Sequence, residues 1–394
     1  MTSIDATPDT GPVPTPAATP AEQRLSRLQQ YLLVDPGNEP LRADLFQLAL
    51  QLGRAALAQA QVAHQLAIDP LDVNWRHRQA ALAMQRHDYG DAVRLLAALA
   101  PEAPANPHIR HDLGRALFRQ GQFALALAQL QPLVDQQLAQ VPAALALWMR
   151  CQQRLGGHAL LLDVFAARAA DTPLPPEAYG VAGLIALDAE RVAQARAWAG
   201  HALALAPRQR EALVAMGTLA VADQDGASAK LYLEACLADH PQDGRAWSAL
   251  GLARLVDLEP APALEALQRA VRYMPEHIGT WHALGWCQLS LRDAGAARDS
   301  FAHALEMDHN FGDSHGALAV ALAMLGEQGP ARRHIERALR LDPGSLVALY
   351  AKSVLDGEGR DPQAFRLMAR RLLGGHKTLT GAPLADAVLE RGVL

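Results

Sequence analysis

The run Gly312-Asp313-Ser314-His315-Gly316 satisfies G-x-S-x-G, which in a hydrolase exposes a nucleophilic serine on a strand-to-helix turn. That chemistry needs a strand before the serine. The flanking residues instead read as a helix opening with Asp313 or Ser314 as its N-cap, so the match is a coincidence of letters. Asp223-Gln224-Asp225-Gly226 outlines a calcium loop, with Glu234 twelfth from Asp223. The sixth place, which such a loop fills with glycine, holds Ser228, and the segment reads as a turn capped by Asp223 or Asp225.

Fifteen histidines could serve metal chemistry. His108 and His111 share one expected helix and His77 and His87 precede it, but no cysteine or carboxylate at fixed spacing completes a ligand set. They are read as solvated or hydrogen-bonded. Arg332, Arg333, Arg337, Arg340, Arg366, Arg370 and Arg371 make the C-terminal part locally basic and are read as a solvated face. Neither phosphate-cradling glycine motif occurs. No catalytic residue, metal or cofactor is expected.

The elements that must position any site follow from a pattern returning every 34 residues. Gly183, Gly217, Gly251 and Gly285 are evenly spaced, with Ala319 next. Ala195, Ala229, Ala263, Ala297 and Ala331 keep the same phase, as do Ala202, Cys236, Ala270, Ala304 and Ala338. Pro207, Pro241, Pro275 and Pro343 close the units. Such a period marks a solenoid, whose units are too small to bury their apolar faces alone and must stack. Within residues 244–277, a first helix carries Trp247, Leu250, Gly251 and Leu255, and a turn follows at Glu259-Pro260-Ala261-Pro262. A second helix carries Ala263, Leu267, Ala270 and Val271 and ends before Pro275. Small residues at Gly251 and Ala270 let the axes approach; a large one at Ala270 would cost about 1–3 kcal/mol.

Composition agrees with helices. Aromatics are only 5%, and net charge is −5, which gives no basic field for nucleic acid. Cys151, Cys236 and Cys287 are odd in number and far apart, against a disulfide framework and for a reducing compartment. No segment approaches the roughly 20 apolar residues of a membrane span, and residues 1–20 lack a signal-peptide core. A cytoplasmic protein is expected.

The array resembles the tetratricopeptide repeat family, whose pattern sets a large residue, Leu-Gly, an aromatic, Ala, Phe, Ala and Pro at fixed offsets. Residues 278–311 match best: Trp281, Leu284, Gly285, Ala297, Phe301 and Ala304 fall in place, while Gln288 and His309 replace the aromatic and the proline. The phase extends back to units opening near Pro176, Pro107, Val73 and Glu39, with 21–34 as the second helix of a partial leading unit. Over 142–175 the motif is worn, and one extra residue must be absorbed around 138–141. Past Pro343, residues 346–354 read as a first helix and 361–373 as its partner. The resemblance implies an all-α, right-handed superhelical solenoid of about nine to ten antiparallel helix pairs over 21–375. Residues 1–20 are expected as a disordered tail and 376–394 as a tail or short capping helix.

In that family, first helices build a concave wall. Carried over residue by residue, its positions give Leu184, Leu187, Val214 and Val221, then Leu252, Leu255 and Val256. His282, Trp286, Leu289, Val320 and Met324 follow, and nearer the N-terminus His108, His111, Arg115, Phe118 and Arg119. Chaperone-serving members grip a carboxylate with Lys and Asn, where this chain has Ser248, Ala249 and Leu252, or His282, Ala283 and Trp286. The implied function is a non-catalytic, chaperone-like scaffold or adaptor holding a partner's peptide or helix in an apolar groove. It looks like a stand-alone bacterial adaptor of secretion or envelope assembly. Trp286 is the expected anchor, with His282, Leu252, Leu255, Leu289, Val320 and Met324 shaping its pocket and Arg115 and Phe118 further along. The expected partner is a protein or peptide, with no nucleic acid and no membrane insertion. A peptide-sensing regulator and a sugar-transferase-like enzyme are the alternatives. The first would need a helix-turn-helix where residues 1–20 are short and Pro-rich, the second a catalytic domain after 375.

Overall fold

The computed structural model describes residues 19–156 and 158–357. Among them the chain forms twenty helices and no strand, an all-α repeat array. It divides into two compact units, Met1–Leu155 and Gly156–Leu394. The expected helix at 361–373, residues 1–18 of the tail expected over 1–20, the tail at 376–394, and Arg366, Arg370 and Arg371 lie outside the described residues, while Thr19 and Pro20 open the first helix.

The first unit runs α1 (Pro20–Val34), α2 (Glu39–Gln51), α3 (Ala55–Ile68), α4 (Val73–Gln85), α5 (Tyr89–Glu102), α6 (Pro107–Arg119), α7 (Phe123–Gln136) and α8 (Ala143–Arg154). Thr19 and Glu22 form a capping box on α1, and Asp72 accepts from Trp75 N at 2.9 Å to start α4. Its core gathers Phe46 and Trp75, both 1% exposed, with Leu45, Val62 and Leu82. The two rings meet edge to face at 6.1 Å.

The second unit opens with α9 (His158–Asp171). First helices then recur as α10 (Pro176–Asp188), α12 (Arg210–Ala222), α14 (Gly244–Val256), α16 (Ile278–Ser290), α18 (Gly312–Met324) and α20 (Leu346–Leu355). Second helices alternate with them as α11 (Val192–Leu205), α13 (Gly226–Asp239), α15 (Pro260–Tyr273), α17 (Ala294–Met307) and α19 (Gln328–Leu341). The worn stretch is therefore helical too. Phe165, 2% exposed, anchors α9 against Tyr179 and Trp198, with ring centroids at 5.4 and 5.0 Å.

The repeated glycine has a steric cause. A Cβ at Gly251 would lie 2.5 Å from Leu267 Cγ, and Gly217 stands in the same relation to Leu233. In α16 the space over Gly285 is filled by Phe301. Gly217, Gly251 and Gly285 each lie beneath a large, fully buried side chain of the partner helix, while at Gly183 the backbone and Cβ of Ala199 come as close as 3.0–3.1 Å, so each pair can approach only where the first helix is bare. Full burial of a side chain such as Phe301 contributes about 1.5–3 kcal/mol.

Candidate partner-binding face

Neighbouring first helices of the second unit face each other at one repeat position, held by Gly180, Val214, Ser248, His282 and Gly316. In α18, a Cβ on Gly316 would come within 2.9 Å of Ala348 N and 3.0 Å of Val347 Cγ1. Bare glycine lets α20 lie against α18. In α10, the space over Gly180 is taken by the buried Gln209 side chain, which donates to Glu211 Oε2 at 2.6 Å. Leu184 and Leu187 are buried in this closed stretch.

Between them the wall opens. Ser248 and His282 carry polar side chains that reach the next first helix, Ser248 Oγ to Thr280 Oγ1 at 3.3 Å and His282 Nε2 to Ser314 Oγ at 2.8 Å. They act as spacers, and the apolar residues beside them stay accessible. Leu252 is 37% and Met324 47% exposed, while Leu255, Val256 and Trp286 are half-buried. At the near margin, Asp188 of α10 receives both guanidinium nitrogens of Arg245, one at 3.1 Å, tying α10 to α14 across the intervening helix.

Trp286 is held before any partner arrives. Its indole meets Phe301 edge-on at 5.5 Å and Tyr350 of α20 at a tilt at 6.3 Å. A side chain fixed in this way loses little rotamer freedom on binding. His282 lies between Phe301 and Phe311, at 5.9 and 5.7 Å. Burial pushes its pKa below the ordinary value against the opposing charge of Asp313, which keeps the imidazole neutral and the wall uncharged near neutral pH.

Leu184, Leu187 and Val214, expected on the wall, are buried, and two residues expected to shape the Trp286 pocket do not face outward either. Leu289 (6% exposed) and Val320 (0%) are packed in one core with Ala297, Phe301 and Ala317. Val320 is covered because Gly316 lets α20 approach; Leu289 is covered by residues of α17 and α18. They support the face and do not present it. Tyr350 was not anticipated as a contact of Trp286, since it lies two units further along the chain.

The chemistry-like motifs resolve into helix ends. Ser314 is fully buried inside α18, no strand precedes it, and Phe311 is the N-cap, neither Asp313 nor Ser314. Asp225 caps α13 by accepting from Ser228 N at 3.0 Å, and Asp223 pairs with Arg196 at 2.7 Å. The three cysteines are buried, and burial pushes Cys151 and Cys287 up to about 11 and Cys236 up to about 12. Among the described residues, no group of three or more His, Cys, Asp or Glu is placed to hold a metal.

In the first unit, Arg115 is exposed and Phe118 half-buried, the latter edge-on to Phe123 at 5.4 Å. Arg115 pairs with Asp112 at 3.2 Å. The same carboxylate takes His77 Nε2 at 2.8 Å and His111 Nδ1 at 3.4 Å. Burial opposes its charge, but the bonds to His111 and His77 and the Arg115 charge together hold it well below the usual carboxylate range. Asp112 stands next to His111 in sequence, yet its link to His77 appears only once α4 and α6 are side by side.

An all-α array of 34-residue helix pairs with a partly exposed apolar wall is a protein–protein interaction scaffold. The tetratricopeptide repeat family model matches residues 83–147. Among solved structures this chain is similar to a chain of the APC/C hetero-tetramer Cut9-Hcn1, at 16% identity and a TM-score of 0.62, covering 84% of this chain and 66% of that one. YrrB, a TPR protein with an unusual peptide-binding site, aligns at 22% identity and a TM-score of 0.39 over 49% of this chain and 99% of its own. Pseudomonas aeruginosa pilF aligns at 20% identity and a TM-score of 0.42, over 51% and 93%. No curated protein sequence matches the chain. Among the described residues, no helix is long and apolar enough to cross a membrane.

Proposed function

We propose that the second unit holds a segment of a partner protein, an amphipathic helix or extended apolar peptide, against the open stretch from α14 to α18. Trp286 is the anchor, with Leu252, Leu255 and Met324 as its apolar surround. The chain acts as a non-catalytic cytosolic adaptor, and its resemblance to bacterial adaptors points to secretion or envelope assembly. One observation carries this reading: among the first helices of the second unit, the exposed apolar side chains are Leu252 and Met324, both in the stretch from α14 to α18, where Ser248 and His282 make polar contacts to the next first helix. A preformed, rigid aromatic in an apolar strip is the usual energetic centre of such an interface.

The test is the affinity of a partner captured on the immobilised chain, measured for wild type and Trp286→Ala. Loss of a central anchor costs about 2 kcal/mol, so Kd should rise about thirtyfold with helicity unchanged. An Arg332→Gln variant on α19 should bind as wild type does. Equal affinity for wild type and Trp286→Ala refutes the assignment.

A further inference from the structure

The first unit carries a surface of opposite character. Its first helices α4, α6 and α8 hold seven arginines, no lysine and a single carboxylate, Asp112, in a chain whose net charge is −5. Asp112 is already engaged by His77, His111 and Arg115. Arg76 is matched by Glu102 of α5, and Arg78 lies over the Trp75 ring at 4.5 Å.

The other arginines include a register. Helices α6 and α8 are both followed, two residues on, by a glycine with positive φ, Gly121 at 77° and Gly156 at 88°. This aligns Arg115 with Arg150 and Arg119 with Arg154, each pair 35 residues apart. The 34-residue period would misalign them by one; the extra residue between α7 and α8 restores the match. Within a helix the two arginines are one turn apart, about 6 Å along the axis, and packed helix axes lie about 8–10 Å apart. Side chains on one face of an extended peptide recur at about 6.6 Å. The spacing within each helix is therefore close to that of successive carboxylates on an extended peptide.

Its outer members are presented for contact. The Arg119 guanidinium lies over the Tyr89 ring at 5.6 Å and that of Arg154 over Phe123 at 5.1 Å. A cation–π contact of this kind leaves guanidinium N–H groups available for a carboxylate. Neither pairs with a carboxylate among the described residues. Favourable interaction with a helix C-terminus does not account for them: the equivalent positions of α2 and α4 are Gln51 and Gln85, and Arg115 and Arg150 lie a turn inside. The chain's net charge of −5 gives no broad basic field for a nucleic acid.

We infer that the face formed by α6 and α8 binds an acidic segment of a protein, with Arg119 and Arg154 as primary contacts and Arg115 and Arg150 behind them. This surface is independent of the apolar face of the second unit, and either can fail without the other.

The test uses the full-length chain and a fluorescein-labelled peptide of about ten glutamates, read by fluorescence anisotropy. Binding should weaken steeply as salt rises from about 50 to about 200 mM. Arg119→Gln with Arg154→Gln should lower affinity about tenfold, whereas Arg332→Gln with Arg333→Gln on α19 should change it less than about twofold. Should the glutamine pair unfold by circular dichroism, Arg119→Lys with Arg154→Lys decides. Loss of the planar fork should still weaken binding about threefold, and unchanged affinity overturns the inference. Equal losses in the α6/α8 and α19 variants overturn it, as does tighter binding of a single-stranded DNA of similar length.

Discussion

Replacing Gly251 by alanine isolates the packing rule on which the array rests. The new Cβ would lie 2.5 Å from Leu267 Cγ and 2.8 Å from Leu267 Cδ2, well inside van der Waals contact. Leu267 is fully buried, as are Ala263, Ala266 and Ala270 on the same helix, so its side chain has nowhere to swing. Overpacking of this kind costs about 1–3 kcal/mol. Alanine in a helix interior is itself favoured over glycine by about 0.5–1 kcal/mol, which masks part of that cost. Gly200, in the middle of α11, supplies the reference: nothing lies within 4 Å of its Cβ position. Gly200→Ala should raise the urea midpoint followed by circular dichroism, and Gly251→Ala should fall below it by the steric difference, about 1–3 kcal/mol. Leu267→Ala should then cost less in the Gly251→Ala background than the roughly 2–5 kcal/mol expected in wild type. If Gly251→Ala unfolds at or above the midpoint of Gly200→Ala, the reasoning is wrong.

Acid should loosen the α18–α19 pair. His315 Nδ1 and His334 Nδ1 are 2.9 Å apart, a contact with room for one proton, and His315 Nε2 faces the His309 carbonyl at 3.1 Å. Burial lowers both pKa values; the His309 carbonyl partly restores that of His315, while the charges of Arg337 and His309 lower it further, and His315 and Arg333 lower that of His334. Because the folded values lie below the unfolded value of about 6.5, this stability is complete above that pH and is lost as pH falls toward the folded pKa. The urea midpoint should drop between about pH 7.5 and 5.5, and drop less in His334→Gln. Asp112→Asn removes the charge and one of the two acceptor oxygens shared by His77, His111 and Arg115 and should cost about 1–3 kcal/mol, read as a lower midpoint at neutral pH. Since the Asp112 pKa is depressed, its contribution is present above the unfolded carboxylate value of about 3.9 and is lost only in stronger acid.

The period alone places most helices. First helices of the second unit begin at Pro176, Arg210, Gly244, Ile278, Gly312 and Leu346, each 34 residues after the last. This regularity is legible because the glycine and its covering Leu or Phe are local to one helix pair. The wall was less legible, since exposure there depends on the neighbouring first helix. Leu252 and Val320 occupy equivalent positions, yet Ser248 keeps one accessible and Gly316 buries the other. The match of Arg115 with Arg150 follows from the extra residue at 138–141, and the helix bounds of α6 and α8 fix it. The His77–Asp112 bond needs two helices side by side.

The central claim is that a partner segment lies along the open stretch of first helices in the second unit. A photo-cross-linking amino acid at position 324, and separately at Leu231, whose side chain is exposed on α13, tests it directly. A single partner polypeptide joined from position 324, not from 231, and lost when Trp286→Ala is added, is the predicted result. Cross-links of equal yield from both positions, or a yield from 324 that survives Trp286→Ala, would contradict it.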